Sequence, residues 1–163
     1  MREIEFDEIP TLVGQELAVT GWRTITQEQV QMFADATGDH QWIHVDVARA
    51  TRESPFGGPV AHGFLTLSLL PAMLAGSIRT NGAVMGVNYG LNRVRFTSPV
   101  RVGAELRGRV TIQSATRLAP AETLTGGAGW QLVWAVTFEL RDQERPACVA
   151  EMVSRQFAAP AQA

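Results

Sequence analysis

Val60-Ala61-His62-Gly63-Phe64-Leu65-Thr66-Leu67-Ser68-Leu69-Leu70-Pro71-Ala72-Met73-Leu74-Ala75-Gly76-Ser77-Ile78 is the stretch on which the fold turns. Phe64, Leu65, Leu67, Leu69, Leu70, Met73 and Leu74 fall on nearly every side of a helical projection, and a helix apolar all round belongs inside something. Pro71 is expected to kink this helix or end its first half, because it lacks the amide that a mid-helix bond needs. The apolar run Phe64 to Ala75 is too short to span a bilayer. Upstream, Ser54-Pro55-Phe56-Gly57-Gly58-Pro59 is a turn cluster whose prolines and glycines forbid regular structure. Before it, Asp46 is placed to cap a short helix over Val47 to Thr51, and Gly38 to Val45 reads as a loop. Thr26-Gln27-Glu28-Gln29 reads as a capping box ahead of Val30, Met32 and Phe33, opening a helix that should stop at Gly38. Glu16 to Ile25 alternates well enough for a strand.

Downstream of the buried helix the texture changes to strand-like runs at Val84 to Phe96, Glu105 to Arg117, Trp130 to Arg141 and Ala147 to Phe157. A strand, helices, a buried helix and then consecutive strands joined by short turns is an α+β order. An antiparallel sheet of about five strands wrapped around one long central helix satisfies it. Residues 1–163 read as a single domain, with only the Ala-Pro-Ala-Gln-Ala tail looking loose. A small curled sheet leaves edge strands exposed, and pairing such edges between two copies would cover them, so a homodimer is expected.

Composition narrows the function. With 45% hydrophobic and 18% charged residues, the chain can build a core without disulfides or metals. The net charge of −2 with no run of like charges lacks the phosphate-neutralising signature of a nucleic-acid binder. Every basic residue is Arg, which excludes Schiff-base chemistry and a phosphate-loop lysine. Cys148 stands alone, so intramolecular disulfides and Cys-rich zinc sites are out, and a reducing cytoplasm is the expected location. Met1 to Pro10 is acidic and lacks a basic-then-apolar signal pattern.

All three histidines, His40, His44 and His62, fall in one short stretch with Asp35, Asp39 and Asp46. Asp39 follows Gly38 at a helix end and His44 lies five residues on, a loop spacing that lets both turn toward one small molecule or water for acid–base work. The plainer alternative is an Asx turn at Asp39 and a packed or hydrogen-bonded His44. A zinc ion held by His40 and His44, with Asp39 or Asp46, would need that stretch to be helical, and Gly38 and its turn-forming composition argue against it. His62-Gly63 enters the buried helix with unsatisfied amides at its positive end, where they can hold an oxyanion; alternatively Gly63 merely permits close packing. Ser68 sits in mid-helix among leucines and Cys148 in an apolar strand, so neither is assigned a nucleophilic role.

The run Phe33-Ala34-Asp35-Ala36-Thr37-Gly38-Asp39-His40-Gln41-Trp42-Ile43-His44-Val45-Asp46, followed by Pro59-Val60-Ala61-His62-Gly63-Phe64, resembles the MaoC-like dehydratases, the (R)-specific enoyl-CoA hydratases. Gly86 to Phe96 and Ser98 to Gly103 are similar to the strand and turn of the branch related to nodulation protein N. The resemblance covers nearly the whole chain. It implies a hot-dog fold whose protomers join sheets edge to edge, and reversible hydration of a trans-2-enoyl thioester. It also implies Asp39 and His44 as the reacting pair and the Gly63 amide as the thioester-oxygen donor. No metal or redox cofactor is implied; coenzyme A or acyl carrier protein arrives as part of the substrate. The family's usual motif has Asn then Pro where Gln41 and Trp42 stand here, so Gln41 is expected to orient its neighbours and Trp42 to reshape the pocket, with His62 a further orienting or pocket residue. Phe64, Leu65 and Met85 are further candidates for lining the acyl tunnel, and Arg79, Arg93, Arg95 and Arg101 for meeting phosphates. An acyl-CoA thioesterase and a non-catalytic acyl-binding subunit are the rivals. Residues 64 to 78 contain no Asp or Glu, which counts against the first, and retention of both Asp39 and His44 counts against the second.

Overall fold

A computed structural model describes residues 1–160; residues 161–163 of the expected loose tail lie outside the described residues. The chain runs β1 (Arg2–Glu5), a 3-10 helix (Phe6–Leu12), β2 (Glu16–Val19), β3 (Arg23–Thr24), α1 (Gln27–Thr37), α2 (Trp42–Val45) and α3 (Val47–Glu53). It continues through α4 (Gly63–Ser68), α5 (Leu70–Ala75), β4 (Ile78–Asn81), β5 (Ala83–Phe96), β6 (Glu105–Arg117), β7 (Gly129–Leu140) and β8 (Cys148–Ala158). The strands expected at β5 to β8 agree within a residue or so at each end. The expected strand Glu16 to Ile25 is two short pieces. Thr20 interrupts it by turning its backbone and hydroxyl onto Gly108 of β6.

Strand order is β2-β6-β7-β8-β5, antiparallel throughout, with β3 also pairing β6, so the main sheet has six strands rather than about five. Alternation drives it: Leu106, Val110 and Ile112 of β6, Leu132, Trp134, Val136 and Phe138 of β7, and Cys148, Ala150 and Met152 of β8 all face inward and are buried. Register shifts in β5 and β6 add the local bends that let the sheet curve around what it encloses. Against that face lie Leu65, Leu70 and Met73 from the helical segment, in one continuous core. This is the hot-dog arrangement, with a correction to its centre. The helix expected from Val60 to Ile78, kinked or ended in its first half by Pro71, is two short helices broken at Leu69, two residues before Pro71, and Val60 is an isolated bridge to Arg101. Nor is the segment buried all round, since Phe64 is 65% exposed.

A second departure positions the site. β5 is not followed by its neighbour in the sheet: the link from Phe96 to Glu105 crosses to the far side and pins the turn cluster as it passes. Ala61 donates to the Val100 carbonyl at 2.8 Å and Val102 to the Pro59 carbonyl at 3.0 Å, which fixes the backbone just before His62 and Gly63. The N-terminal residues add a layer the sequence did not announce. β1 pairs in parallel with β4, and the 3-10 helix buries Phe6, Ile9 and Leu12 in the core.

Candidate active site

Two helix boundaries deliver Asp39. Thr26 accepts from the Gln29 amide at 3.2 Å while Gln29 accepts from the Thr26 amide at 3.1 Å, closing the expected capping box on α1. At the other end Gly38 takes φ +79°, the left-handed turn that stops the helix at little cost for a residue without Cβ. Asp39 follows, exposed, with Oδ1 accepting from the Gln41 amide at 3.4 Å. The Asx-type contact and a free second carboxylate oxygen therefore coexist.

The expected loop from Gly38 to Val45 contains one helical turn, α2, and His44 sits on it. Three contacts make that turn possible. The His44 amide donates to the Gln41 carbonyl at 2.9 Å, Gln27 reaches across from α1 to donate to the His44 carbonyl at 2.8 Å, and Asp46 caps α3 by accepting from the Arg49 amide at 2.9 Å. The His44 ring is 7% exposed and lies 2.6 Å through Nδ1 from the Val60 carbonyl. A carbonyl can only accept, so Nδ1 carries the proton and Nε2 keeps its lone pair. Burial pushes the His44 imidazolium below its ordinary value and His62 acts the same way, while the Val60 carbonyl and Asp39 pull it back. The resting state is a neutral imidazole with a bare nitrogen.

His62, 3% exposed, lies against this ring with centroids 3.8 Å apart and planes at 27°, and its Nε2 donates to the Asp39 carbonyl at 2.9 Å. Asp39, His44 and His62 thus each bring a polar atom within 4.8 Å of the others. Three such donors raise the question of a metal, but imidazole lone pairs lie in the ring plane, so stacked rings aim almost parallel rather than converging on one ion. The zinc set weighed from sequence is also split, because His40 turns out to Asp35 at 2.9 Å, an exposed pair that raises the His40 pKa.

Gly63 opens α4, where a first-turn amide has no intrahelical acceptor. A Cβ there would meet the Phe96 ring of β5 at 2.8 to 2.9 Å, so the close-packing explanation of this glycine holds. Beside it a cavity of about 310 Å³ is lined by Ile43, Val60, Gly63, Thr66, Phe96 and Val100. A larger one, about 530 Å³, opens at the far end of the helical segment among Leu74, Ile78, Met85 and Trp134, away from Asp39 and His44.

The remaining candidates are dispersed. Trp42 stacks under the Arg49 guanidinium at 4.3 Å, Gln41 is exposed and orients Asp39 through its backbone amide rather than its side chain, and Phe64 meets Phe96 edge-on at 5.7 Å. Leu65 is core. Arg101 donates to the Gly57 carbonyl at 2.6 Å and Arg95 to the Val94 carbonyl at 2.7 Å. Ser68 bonds back to the Phe64 carbonyl, and burial pushes the Cys148 thiol up to about 11, so neither is primed as a nucleophile. Gln27, Val60 and Phe33 also shape the site, the last with its ring 5.0 Å from that of His62. Nothing in their spacing marks them, since each acts through a contact made only in the folded chain.

The domain family described as MaoC like domain matches residues 8–127. Nodulation protein N of Rhizobium meliloti (strain 1021) is 46% identical over 155 residues, covering 94% of this chain and 92% of its own. The 3-hydroxyacyl-thioester dehydratase Z of Mycobacterium tuberculosis is 43% identical over 151 residues, covering 93% and 95%. Among solved structures, the (R)-hydratase from A. caviae involved in PHA biosynthesis superposes with a TM-score of 0.64 at 24% identity over 87% of this chain and 94% of that one, a likeness of fold. With a family match over most of its length and relatives this similar from end to end, the chain belongs to the MaoC-like domain family.

Proposed function

We propose that the protein adds water reversibly across the trans-2 double bond of an acyl thioester to give the (R)-3-hydroxyacyl thioester. The observation that carries this reading is the His44 ring, whose Nδ1–H is committed to the Val60 carbonyl so that Nε2 is free beside Asp39. His44 Nε2 takes a proton from water as the oxygen attacks the β-carbon. Asp39 orients that water and supplies or relays the proton to the α-carbon, and the acid and base labour can be divided between the two residues either way. The Gly63 amide holds the enolate-like thioester oxygen, a kind of donor whose removal costs about 2.7 to 4 kcal/mol. Neither metal nor redox cofactor enters these steps. The dehydratase name of a relative similar along its whole length supports the same chemistry.

The thioester carrier is coenzyme A or acyl carrier protein. The working unit is a homodimer paired along β5, the sheet edge that leaves Val84 61%, Tyr89 57% and Leu91 45% exposed. No helix among the described residues is long and apolar enough to cross a membrane, and cytoplasmic location is part of the same reading.

The test is loss of enoyl absorbance on mixing the protein with crotonyl-CoA and longer trans-2-enoyl-CoAs, with His44→Ala and Asp39→Asn alongside. Turnover by wild type and none by either variant is expected. Thiol release without hydration turns the reading to a thioesterase, and silence across chain lengths with no thiol release turns it to a carrier-protein-dependent enzyme or an acyl-binding subunit.

A further inference from the structure

The geometry points to His62 as a positioning residue of this site, holding Asp39 by one hydrogen bond and His44 by one stacked face so that the two reacting groups cannot move independently. The inference rests on the reading of Asp39 and His44 as the reacting pair.

His62 is 3% exposed and the site would be no less apolar with a leucine there, yet an imidazole is present. Each of its features does something toward a neighbour. Nε2–H donates to the Asp39 carbonyl across 23 residues of chain, tying the loop after Gly38 to the start of α4. One ring face covers His44, and Phe33 of α1 packs at 5.0 Å with a tilt of 48°. Nδ1 is buried and has no partner, so a proton there would be an unsatisfied buried donor held 3.8 Å from a second imidazole. Stacked at this distance, His62 disfavours a positive charge on His44, which keeps the His44 nitrogen bare for the proton it takes from water.

The other groups around His44 do not duplicate this role. Asp39 favours the charged ring and is the one carboxylate acting on it. α1 brings Gln27 and Phe33, Asp46 is engaged at the α3 cap, His40 is turned to Asp35, and residues 63 to 75 carry no ionisable side chain.

Two variants separate the two contacts. His62→Phe keeps a stacked ring and loses the donor to Asp39, whereas His62→Gln keeps a donor of similar reach and loses the ring. His62→Phe is expected to lower kcat about 100-fold with KM changed less than about threefold, the scale of a misplaced reacting group. His62→Gln is expected to recover about tenfold of that loss. In both, NMR titration of the His44 ring in the resting protein moves to higher pH, and the acidic limb of kcat/KM moves with it. A packing role alone would lower the melting temperature and leave the titration in place.

The titration needs no turnover, so it separates this inference from the functional reading. A wild type inactive on every enoyl thioester sinks the reading, while the titration still decides whether His62 acts on His44. Unchanged His44 titration in both variants, or His62→Phe with kcat within about threefold of wild type, overturns the inference. If His62→Phe does not fold, the His62→Gln titration decides it alone.

Discussion

Phe138 and His44 are both more than nine-tenths buried, yet different forces hold them. Phe138 stands in β7 between β6 and β8, where the backbone ladder sets its place and its neighbours are apolar side chains that exclude water. His44 stands on a single helical turn, α2, and its place is set by side chains bonding to backbone: its own ring to Val60, Gln27 to its carbonyl, and His62 to Asp39 next to it. Apolar contact is non-directional and tolerates small shifts, whereas a hydrogen bond to a carbonyl fixes an angle and a tautomer. The sheet supplies stability and the corner supplies aim.

That contrast breaks or sharpens under substitution. His44→Ala removes the nitrogen that receives the proton and is expected to lower kcat/KM by about 10² to 10⁴-fold in the enoyl-absorbance assay, with the protein still folded by circular dichroism. Phe138→Ala does the reverse, costing about 3 to 5 kcal/mol by urea unfolding while the molecules that remain folded turn over normally. Gly63→Ala lies where the two regions meet, because the new methyl runs into the Phe96 ring; overpacking of this kind costs about 1 to 3 kcal/mol, and Phe96→Ala in the same chain should restore most of it.

A smaller effect reads the site through pH. His44 has a lowered folded-state pKa, so its neutral form contributes stability that is present above its unfolded value of about 6.5 and is lost as pH falls through the folded one. Urea midpoints below pH 6.5 should therefore fall less steeply for His44→Ala than for wild type. Smallest of all, His40→Ala should leave both the urea midpoint and turnover unchanged, since its exposed pair with Asp35 stands outside the corner.

What the sequence made legible was local. The Thr26–Gln29 capping box, the Gly38 stop, the Asp46 cap and the bounds of β6 are each decided within a few residues, and the spacing of Asp39 and His44 survives into the folded site. The break at Leu69 was half legible through Pro71. Whatever depended on a partner far along the chain was not: the parallel pairing of β1 with β4, the placement of β5 beside β8, and the stacking of His62 on His44. Replacement of a rigid turn points to Trp42 as a pocket side chain and Gln41 as an orienting one. In the folded chain Trp42 lies under Arg49, seven residues on in α3, and Gln41 serves Asp39 through its backbone.

The pairing of β1 with β4 has a consequence in time. Asn81 reaches back 76 residues to Glu5, so the first strand leaves the ribosome long before anything exists for it to pair with. At about 5 to 20 residues per second it waits roughly four to fifteen seconds for β4, and Phe6, Ile9 and Leu12 wait with it. During synthesis these apolar side chains stay open to a chaperone until β4 has been made.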